Sequence, residues 1–208
     1  MQEKPEAILF DLGGVIYDID YQKTIDAFIA LGADPKQVLY SQAAQSNVFD
    51  AYEVGKISTN EFLRALQRDM PANTSLDDIQ AAWNAMLIRQ PAHRLDFLNR
   101  LKGNLPTFIL SNTNELHIHH VSAELQQEFG TASYSTYVDE VFLSHELGMR
   151  KPHVATFQEV IRRTGVNPAT TLFIDDTLQH IEGAKQAGLL THHHTSGEVA
   201  DVLKEVVN

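Results

Sequence analysis

Residues 7–18 read AILFDLGGVIYD. A run of apolar residues ends in a carboxylate, Asp11, and Gly13 and Gly14 follow closely. Glycines at such a point let the backbone turn in ways other residues resist. The same form recurs twice. Residues 107–110 are apolar and run into Ser111-Asn112, and residues 171–174 run into the acidic pair Asp175-Asp176. A separate lysine, Lys151, stands in GMRKP (148–152), where Pro152 fixes the backbone just ahead of a helical stretch. Carboxylates, a hydroxyl and an ammonium group are the materials of a polar ligand site. Each also has a plainer reading alone. Asp11 could be a turn residue or a helix cap, the acidic pair a solvated loop, and Arg150 with Lys151 two surface charges.

The elements around these residues decide whether they meet. Short apolar segments at 7–10, 107–110, 138–143 and 171–174, with a further short strand at 189–192, read as strands. Helical patterns lie between or after them at 91–102, stopped by Gly103, at 114–129, at 154–163, ended by Gly165, at 178–187 and at 199–207. Short apolar strands alternating with helices form a parallel sheet covered on both faces. In such a sheet the C-terminal strand ends share one edge, and ligands bind there at the topological switch point. Asp11, Ser111 and Asp175-Asp176 should therefore converge. From about residue 21 to 87 the pattern is helical, with no strand signal. Ile25, Phe28 and Ile29 share a face and Gly32 closes that helix. Ser58 with Glu61 forms a capping box ahead of Phe62, Leu63 and Leu66. Ser75 opens another helix carrying Ile79, Trp83, Met86 and Leu87. The expected fold is α/β, a Rossmann-like parallel sheet with helices on both faces plus an inserted all-helical cap. The expected division is a core of residues 1–17 and 88–208 and a cap of residues 18–87.

Composition narrows the function classes. The 208 residues are 43% hydrophobic and 21% charged, and the formal charge is -11. A chain of this size can bury a full core. An acidic protein repels nucleic acid and anionic membranes. With no cysteine, disulfides, thiolate metal sites and a cysteine nucleophile are excluded. MQEKPEA has no apolar signal-peptide core, and the apolar runs fall far short of the roughly 20 residues needed to span a bilayer. These features predict a soluble cytoplasmic protein, with its oligomeric state undetermined.

DLGGV (11–15), LSNTN (110–114), GMRKP and FIDDT (173–177) appear in the order of the four motifs of the haloacid dehalogenase (HAD) superfamily, which the chain resembles over essentially its whole length. DLGGVIYDID, LSNTN and LGMRKP are similar to the branch with alpha-D-glucose-1-phosphate phosphatase and the phosphatase domain of soluble epoxide hydrolase. The resemblance implies a Mg²⁺-dependent phosphatase acting on a small phosphorylated metabolite, such as a sugar phosphate, through an aspartyl-phosphate. It casts Asp11 as nucleophile and Lys151 as the balancing charge. Gly13, Gly14, Ser111 and Asn112 become the phosphate-binding groups. Asp11, the main-chain carbonyl of Gly13, Asp175 and Asp176 become the metal ligands.

One position departs from the pattern. Superfamily phosphatases usually carry a second aspartate two residues after the nucleophile, as general acid and base, and here that place is Gly13. His117, Asp18, Asp20 or Tyr17 could substitute, or the leaving group could need less help. Two other outcomes are a non-catalytic binder of a phosphorylated ligand and a metal-free 2-haloacid dehalogenase. Against the dehalogenase, Asp175-Asp176 without a cation would stand unneutralised beside the nucleophile and raise its pKa. The histidines of LHIHH (116–120) and HHH (192–194) are discounted as a metal site. Trp83 is expected in the cap core, and Asn84 beside it is a candidate substrate contact. His180 is expected to touch the second shell of a metal.

Overall fold

The computed structural model describes residues 4–34 and 47–204. Five strands make one parallel sheet: β1 (Ala7–Phe10), β4 (Thr107–Ser111), β5 (Glu140–Leu143), β6 (Thr171–Asp175) and β7 (Leu190–His193), in the order β5-β4-β1-β6-β7. β1 lies in the middle because it is apolar on both faces and fully buried. Period two divides its side chains. Ile8 and Phe10 point to one face, with Ile109 and Ile174. Ala7 and Leu9 point to the other, with Phe108, Leu110 and Phe173.

Helices α5 (Ala92–Leu101), α6 (Glu115–Phe129) and α10 (Val199–Val202) cover the first face, through Leu95, Leu98, Val121, Leu125 and Val199. Helices α8 (Val154–Thr164) and α9 (Leu178–Gln186) cover the second, through Phe157, Val160, Ile181 and Ala184. A short helix, α7 (Ser144–Leu147), follows β5 directly. The third strand starts at Glu140 rather than 138 and the fifth is displaced by one residue from 189–192. The last helix runs over Val199–Val202, shorter than the expected 199–207, and residues 205–207 of that expectation lie outside the described residues.

Between β1 and β4 lie α1 (Tyr21–Ala30), α2 (Asn47–Glu53), α3 (Thr59–Gln67) and α4 (Leu76–Asn84). The box Ser58–Glu61 caps α3, and Ser75 with Asp78 caps α4 in the same way. These helices have their own core, with Phe28, Tyr52, Phe62, Ile79 and Trp83 buried together. Tyr52 stacks on Phe62 with ring centroids 4.2 Å apart, and Phe62 meets Trp83 edge-on at 4.9 Å.

The expectation of an uninterrupted helical stretch needs one correction. Leu87 belongs to a strand, β3 (Leu87–Arg89), which pairs antiparallel with β2 (Asp18–Ile19). The chain crosses between sheet and helices twice, and the two crossings run side by side. Their backbone groups pair with each other, and the Asp20 N–H donates to the Met86 carbonyl at 2.8 Å just beyond. Among the described residues no helix is long and apolar enough to cross a membrane.

Candidate active site

Register brings the acidic strand ends together. Phe10 stands opposite Ile109 on one side and Ile174 on the other. The next residues, Asp11 and Asp175, are therefore level, and the Asp11 N–H donates to the Ile174 carbonyl at 2.8 Å. Ser111 ends β4 on the same edge.

Lys151 arrives from the loop after α7 and is completely buried. Its Nζ lies 2.7 Å from Asp11 Oδ1 and 2.7 Å from Asp175 Oδ2. Asn112 holds that loop in place: its Oδ1 accepts from the Lys151 N–H at 2.9 Å and its Nδ2 donates to the Lys151 carbonyl at 2.9 Å. Ser144 does similar work one residue on. Its Oγ accepts from the Thr113 N–H and donates to the Thr113 carbonyl, both at 2.9 Å. Neither tie is visible in the sequence, because each joins segments about 30 or more residues apart that share no periodic pattern.

Gly14 has a role other than the expected one. Its N–H donates to the Tyr17 carbonyl at 2.9 Å, closing a turn rather than facing a ligand. Its φ is +76°, and a Cβ there would lie 2.3 Å from Asp176 Oδ2. Glycine is needed so that the Asp176 carboxylate can lie against the turn. Gly13 lines the cavity, and a Cβ on it would meet Ile19 Cδ1 at 3.1 Å. The apolar side chain of Ile19 thus crowds the place where an acid at position 13 would begin.

The electrostatics follow from two carboxylates, Asp11 and Asp175, sharing one ammonium, with Asp176 next in the chain. Burial pushes Asp11 well above the usual carboxylate range, and the charge of Asp175 adds to this while Lys151 opposes it. Burial also acts to raise Asp175, but Lys151 and then His180 hold it below the ordinary range. Asp176 is raised by burial and then by Asp175. Lys151 is raised: Asp11 and Asp175 outweigh the burial that would lower it. The cluster is therefore short of positive charge.

Asp175 is also the most fully engaged of the three carboxylates. Beyond Lys151, its Oδ1 accepts from the Thr177 N–H at 2.8 Å, and His180 Nδ1 stands 3.0 Å from both of its oxygens. His180 Nε2 is 3.5 Å from Asn112 Nδ2, which can only donate. That places the imidazole proton on Nδ1, facing Asp175. Burial, followed by the charge of Lys151, lowers the His180 pKa and favours this neutral ring. Asp176 Oδ1 accepts from Thr177 Oγ1 at 3.1 Å. Ligand atoms of Asp11, Asp175 and His180 lie within 4.8 Å of one another, but with Nδ1 protonated and Nε2 turned to the Asn112 amide the imidazole serves to hold Asp175.

A cavity of about 80 Å³ opens beside this cluster, between sheet edge and helical unit. Asp11, Ser111 and Asn112 form its floor, and His117, Glu53 and Arg150 stand in its walls. His117 is buried and stacked on Trp83 at 4.9 Å. Its Nε2 is 3.3 Å from the Trp83 carbonyl, which accepts only, so Nε2 carries the proton. Burial lowers its pKa to about 4.

Asp18 and Asp20 do not line the cavity. Asp18 pairs with Arg94 at 2.8 Å and with Arg89 at 3.3 Å, and Asp20 caps α1 by accepting from the Gln22 N–H at 3.0 Å. Tyr17 lines it, but its hydroxyl donates to Glu124. Asn84, considered as a substrate contact, instead faces an outer groove with Asp77 and His120. In the HHH stretch, His192 and His194 share a side with ring centroids 6.2 Å apart, and His193 Nε2 lies 2.9 Å from the Asp176 carbonyl. Arg150, read from sequence as a surface charge, is largely buried and lines the cavity.

The profile of the haloacid dehalogenase-like hydrolases matches residues 5–188. A D-ribitol-5-phosphate phosphatase of Bacteroides thetaiotaomicron is 31% identical over 192 residues, covering 91% of this chain and 92% of the relative. A sesquiterpene phosphatase of Aspergillus oryzae is 25% identical over 195 residues, covering 91% of this chain and 90% of its own. Among solved structures, a HAD family enzyme from Bacteroides thetaiotaomicron, in complex with magnesium and inorganic phosphate, superposes with a TM-score of 0.84 at 30% identity, over 96% of this chain and 98% of that one.

Proposed function

Because the chain belongs to the haloacid dehalogenase-like hydrolases, we propose that it is a Mg²⁺-dependent phosphatase of a small phosphorylated metabolite, with Asp11 as nucleophile. The observation that carries this reading is that Asp11 and Asp175 share the Lys151 ammonium while the nearby charge of Asp176 raises Asp11 further. That excess negative charge suits a hard divalent cation, which takes oxygen ligands. Asp11, the main-chain carbonyl of Gly13, Asp176 and, directly or through water, Asp175 would hold it. Bound there, Mg²⁺ supplies the positive charge that offsets repulsion between a carboxylate and a phosphate. A 2-haloacid dehalogenase would have no use for this acidic cluster.

Asp11 attacks phosphorus and splits one difficult hydrolysis into two easier steps. Its Oδ1 is held by the Leu12 N–H at 2.7 Å and by Lys151 at 2.7 Å, which fixes the carboxylate plane before substrate arrives. Ser111 Oγ and the main-chain N–H groups of Gly13 and Asn112 donate to the phosphoryl oxygens. Lys151 balances the charge of the floor. Of the substitutes for the missing second aspartate, His117 faces the cavity, whereas Asp18 and Asp20 are committed elsewhere. In this reading His117 takes the base half of the acid–base role through Nδ1, since its Nε2–H is given to the Trp83 carbonyl and its pKa of about 4 leaves no second proton for the leaving group. That role is worth about 10²–10⁴-fold, and positioning and electrostatics carry the rest.

The proposed division places the core at 1–17 and 88–208 and the cap at 18–87, with the β2–β3 ribbon as the hinge on which the cap closes to exclude water. The absence of cysteine is in keeping with a cytoplasmic setting. The likeness to a D-ribitol-5-phosphate phosphatase supports a sugar or sugar-alcohol phosphate as substrate.

Phosphate release from a panel of sugar and polyol phosphates tests the reading, with Mg²⁺ and with a chelator. The expected result is turnover that needs the metal and drops by roughly 10⁴-fold or more in Asp11→Asn. Tight binding of panel members without release of phosphate from any of them would overturn it in favour of a phosphate-ester binding protein.

A further inference from the structure

Position 13 is where the superfamily pattern puts the group that protonates the leaving oxygen, and the structure fills that place with hydrocarbon. A Cβ on Gly13 would find Ile19 Cδ1 at 3.1 Å, Cγ2 at 3.6 Å and Cγ1 at 3.8 Å, and Ile19 lines the cavity. A side chain extended from residue 13 thus runs into Ile19 first. Ile19 is itself held: it pairs with Leu87 across the β2–β3 ribbon and packs against the hydrophobic cores of both the sheet and the helical unit. Three other lining groups have their protons committed. Tyr17 donates its hydroxyl to Glu124. His117 gives its Nε2 proton to the Trp83 carbonyl, and burial keeps the ring from taking another. His180 turns its Nδ1 to Asp175. Glu53 faces Arg150 Nε at 3.1 Å, and a guanidinium favours a carboxylate over a carboxyl.

Phosphoryl transfer passes through a loose transition state in which the bond to the leaving oxygen is largely broken. As the bond from Asp11 to phosphorus forms, the electron pair of the breaking bond stays on that oxygen. With no proton delivered, the oxygen departs as an anion beside Ile19. An alkoxide there is an unpaired charge against apolar atoms, which is costly. A carboxylate, an enolate or an anomeric oxygen bears the charge more easily, because neighbouring atoms spread it or draw it off. Water then attacks phosphorus and frees Asp11, and His117 Nδ1 takes the proton of that water and passes it to solvent. This second step is the same for every substrate.

We propose that Ile19, by filling the place of the missing acid, restricts the enzyme to phosphates carried on acidic oxygens (acyl, enol or anomeric) and makes simple alkyl phosphates poor substrates. This rests on the phosphatase reading above and deepens it by naming the class of leaving group. Among sugar phosphates it selects the ester of the anomeric oxygen over that of a primary alcohol. Ile19 acts as a specificity residue: it exchanges no atom or proton with the substrate.

The test pairs phenyl phosphate with benzyl phosphate, esters of similar size whose leaving groups are a phenol and an alkyl alcohol. First-turnover release of each is timed at saturating ester with the Mg²⁺-loaded full chain. The wild-type protein is expected to favour phenyl phosphate by about 10²–10⁴-fold, the share that a general acid would otherwise supply. Gly13→Asp combined with Ile19→Ala provides both a carboxyl and the room for it, and should bring the ratio below about tenfold by speeding benzyl phosphate. Gly13→Asp alone should not, since Ile19 still stands in the way. Glu53→Gln and Tyr21→Phe remove the cavity's other carboxyl and a phenol, and should leave the ratio standing whatever they do to the absolute rates. A wild-type ratio near one, or a ratio that widens in Glu53→Gln or Tyr21→Phe, would overturn the proposal, because a protein group would then be supplying the proton. So would an unmoved ratio in a double variant that still turns over phenyl phosphate, or a ratio flattened by Gly13→Asp alone. Absence of phosphate release from both esters and from acetyl phosphate would instead overturn the phosphatase reading beneath it.

Discussion

The floor and the wall of the cavity are built in opposite ways. The floor comes from strand ends of one sheet, where register alone sets Asp11 beside Asp175. Its charged residues are tied by hydrogen bonds, from the Lys151 N–H to Asn112 Oδ1 and from His180 Nδ1 to Asp175. The wall comes from side chains that meet across two structural units, Glu53 and Arg150 above all. The floor is therefore fixed before any substrate arrives, while the wall is complete when the helical unit is seated on the sheet. A fixed floor suits chemistry common to every phosphate ester. A wall assembled from two units suits discrimination among the alcohols they carry.

Substitutions that strike only one of the two regions can break this contrast. Lys151→Met should have the largest effect on stability. It strands two buried carboxylates, and removing one partner of a buried ion pair costs about 3–5 kcal/mol. Denaturant unfolding should show that loss, and turnover should fall for every ester alike. A variant that stayed stable and changed only its substrate preference would erase the distinction between floor and wall.

A second effect is set by pH and metal. Asp11 and Asp176 have folded pKa values raised above the ordinary 3.8, so the metal-free fold holds these protons more tightly than the unfolded chain. Their contribution to stability is present below 3.8 and is lost as pH rises through the raised values. Asp175 is shifted down, so its contribution is lost only as pH falls below that window. Mg²⁺ should therefore raise Tm more at neutral pH than near pH 4. A gain that is absent, or equal across the range, would contradict a cation shared by these carboxylates.

The smallest effect belongs to the helical unit. Ser58→Ala removes the cap of α3 and should cost about 1 kcal/mol. Amide exchange should speed up in α3 and leave the protection of β1 unchanged. Equal acceleration in β1 would mean that the two units do not open separately.

The same contrast explains what could be read from the sequence. Asp11, Ser111 and Asp175-Asp176 were legible because each ends an apolar strand, and a parallel sheet puts all such ends on one edge. Lys151 had no local signal, and its place came from the resemblance of GMRKP to a family motif. Arg150 looked like a surface charge because nothing in the chain around residues 47–53 points to it. The β2–β3 ribbon was invisible because two- and three-residue strands are too short to show a period. The bond from the Gly14 N–H to the Tyr17 carbonyl is hidden in the same way, because paired glycines show that a turn exists but not which N–H closes it. The crowding of position 13 by Ile19 is likewise a tertiary contact.

The most direct test of the account is to catch the covalent bond it requires. A single turnover with radiolabelled ester and Mg²⁺, quenched in acid and digested, should leave phosphate on the peptide that contains Asp11, and in Asp11→Asn that label should vanish. Turnover that continues with no label on the protein, or with label on a peptide lacking residue 11, would contradict it.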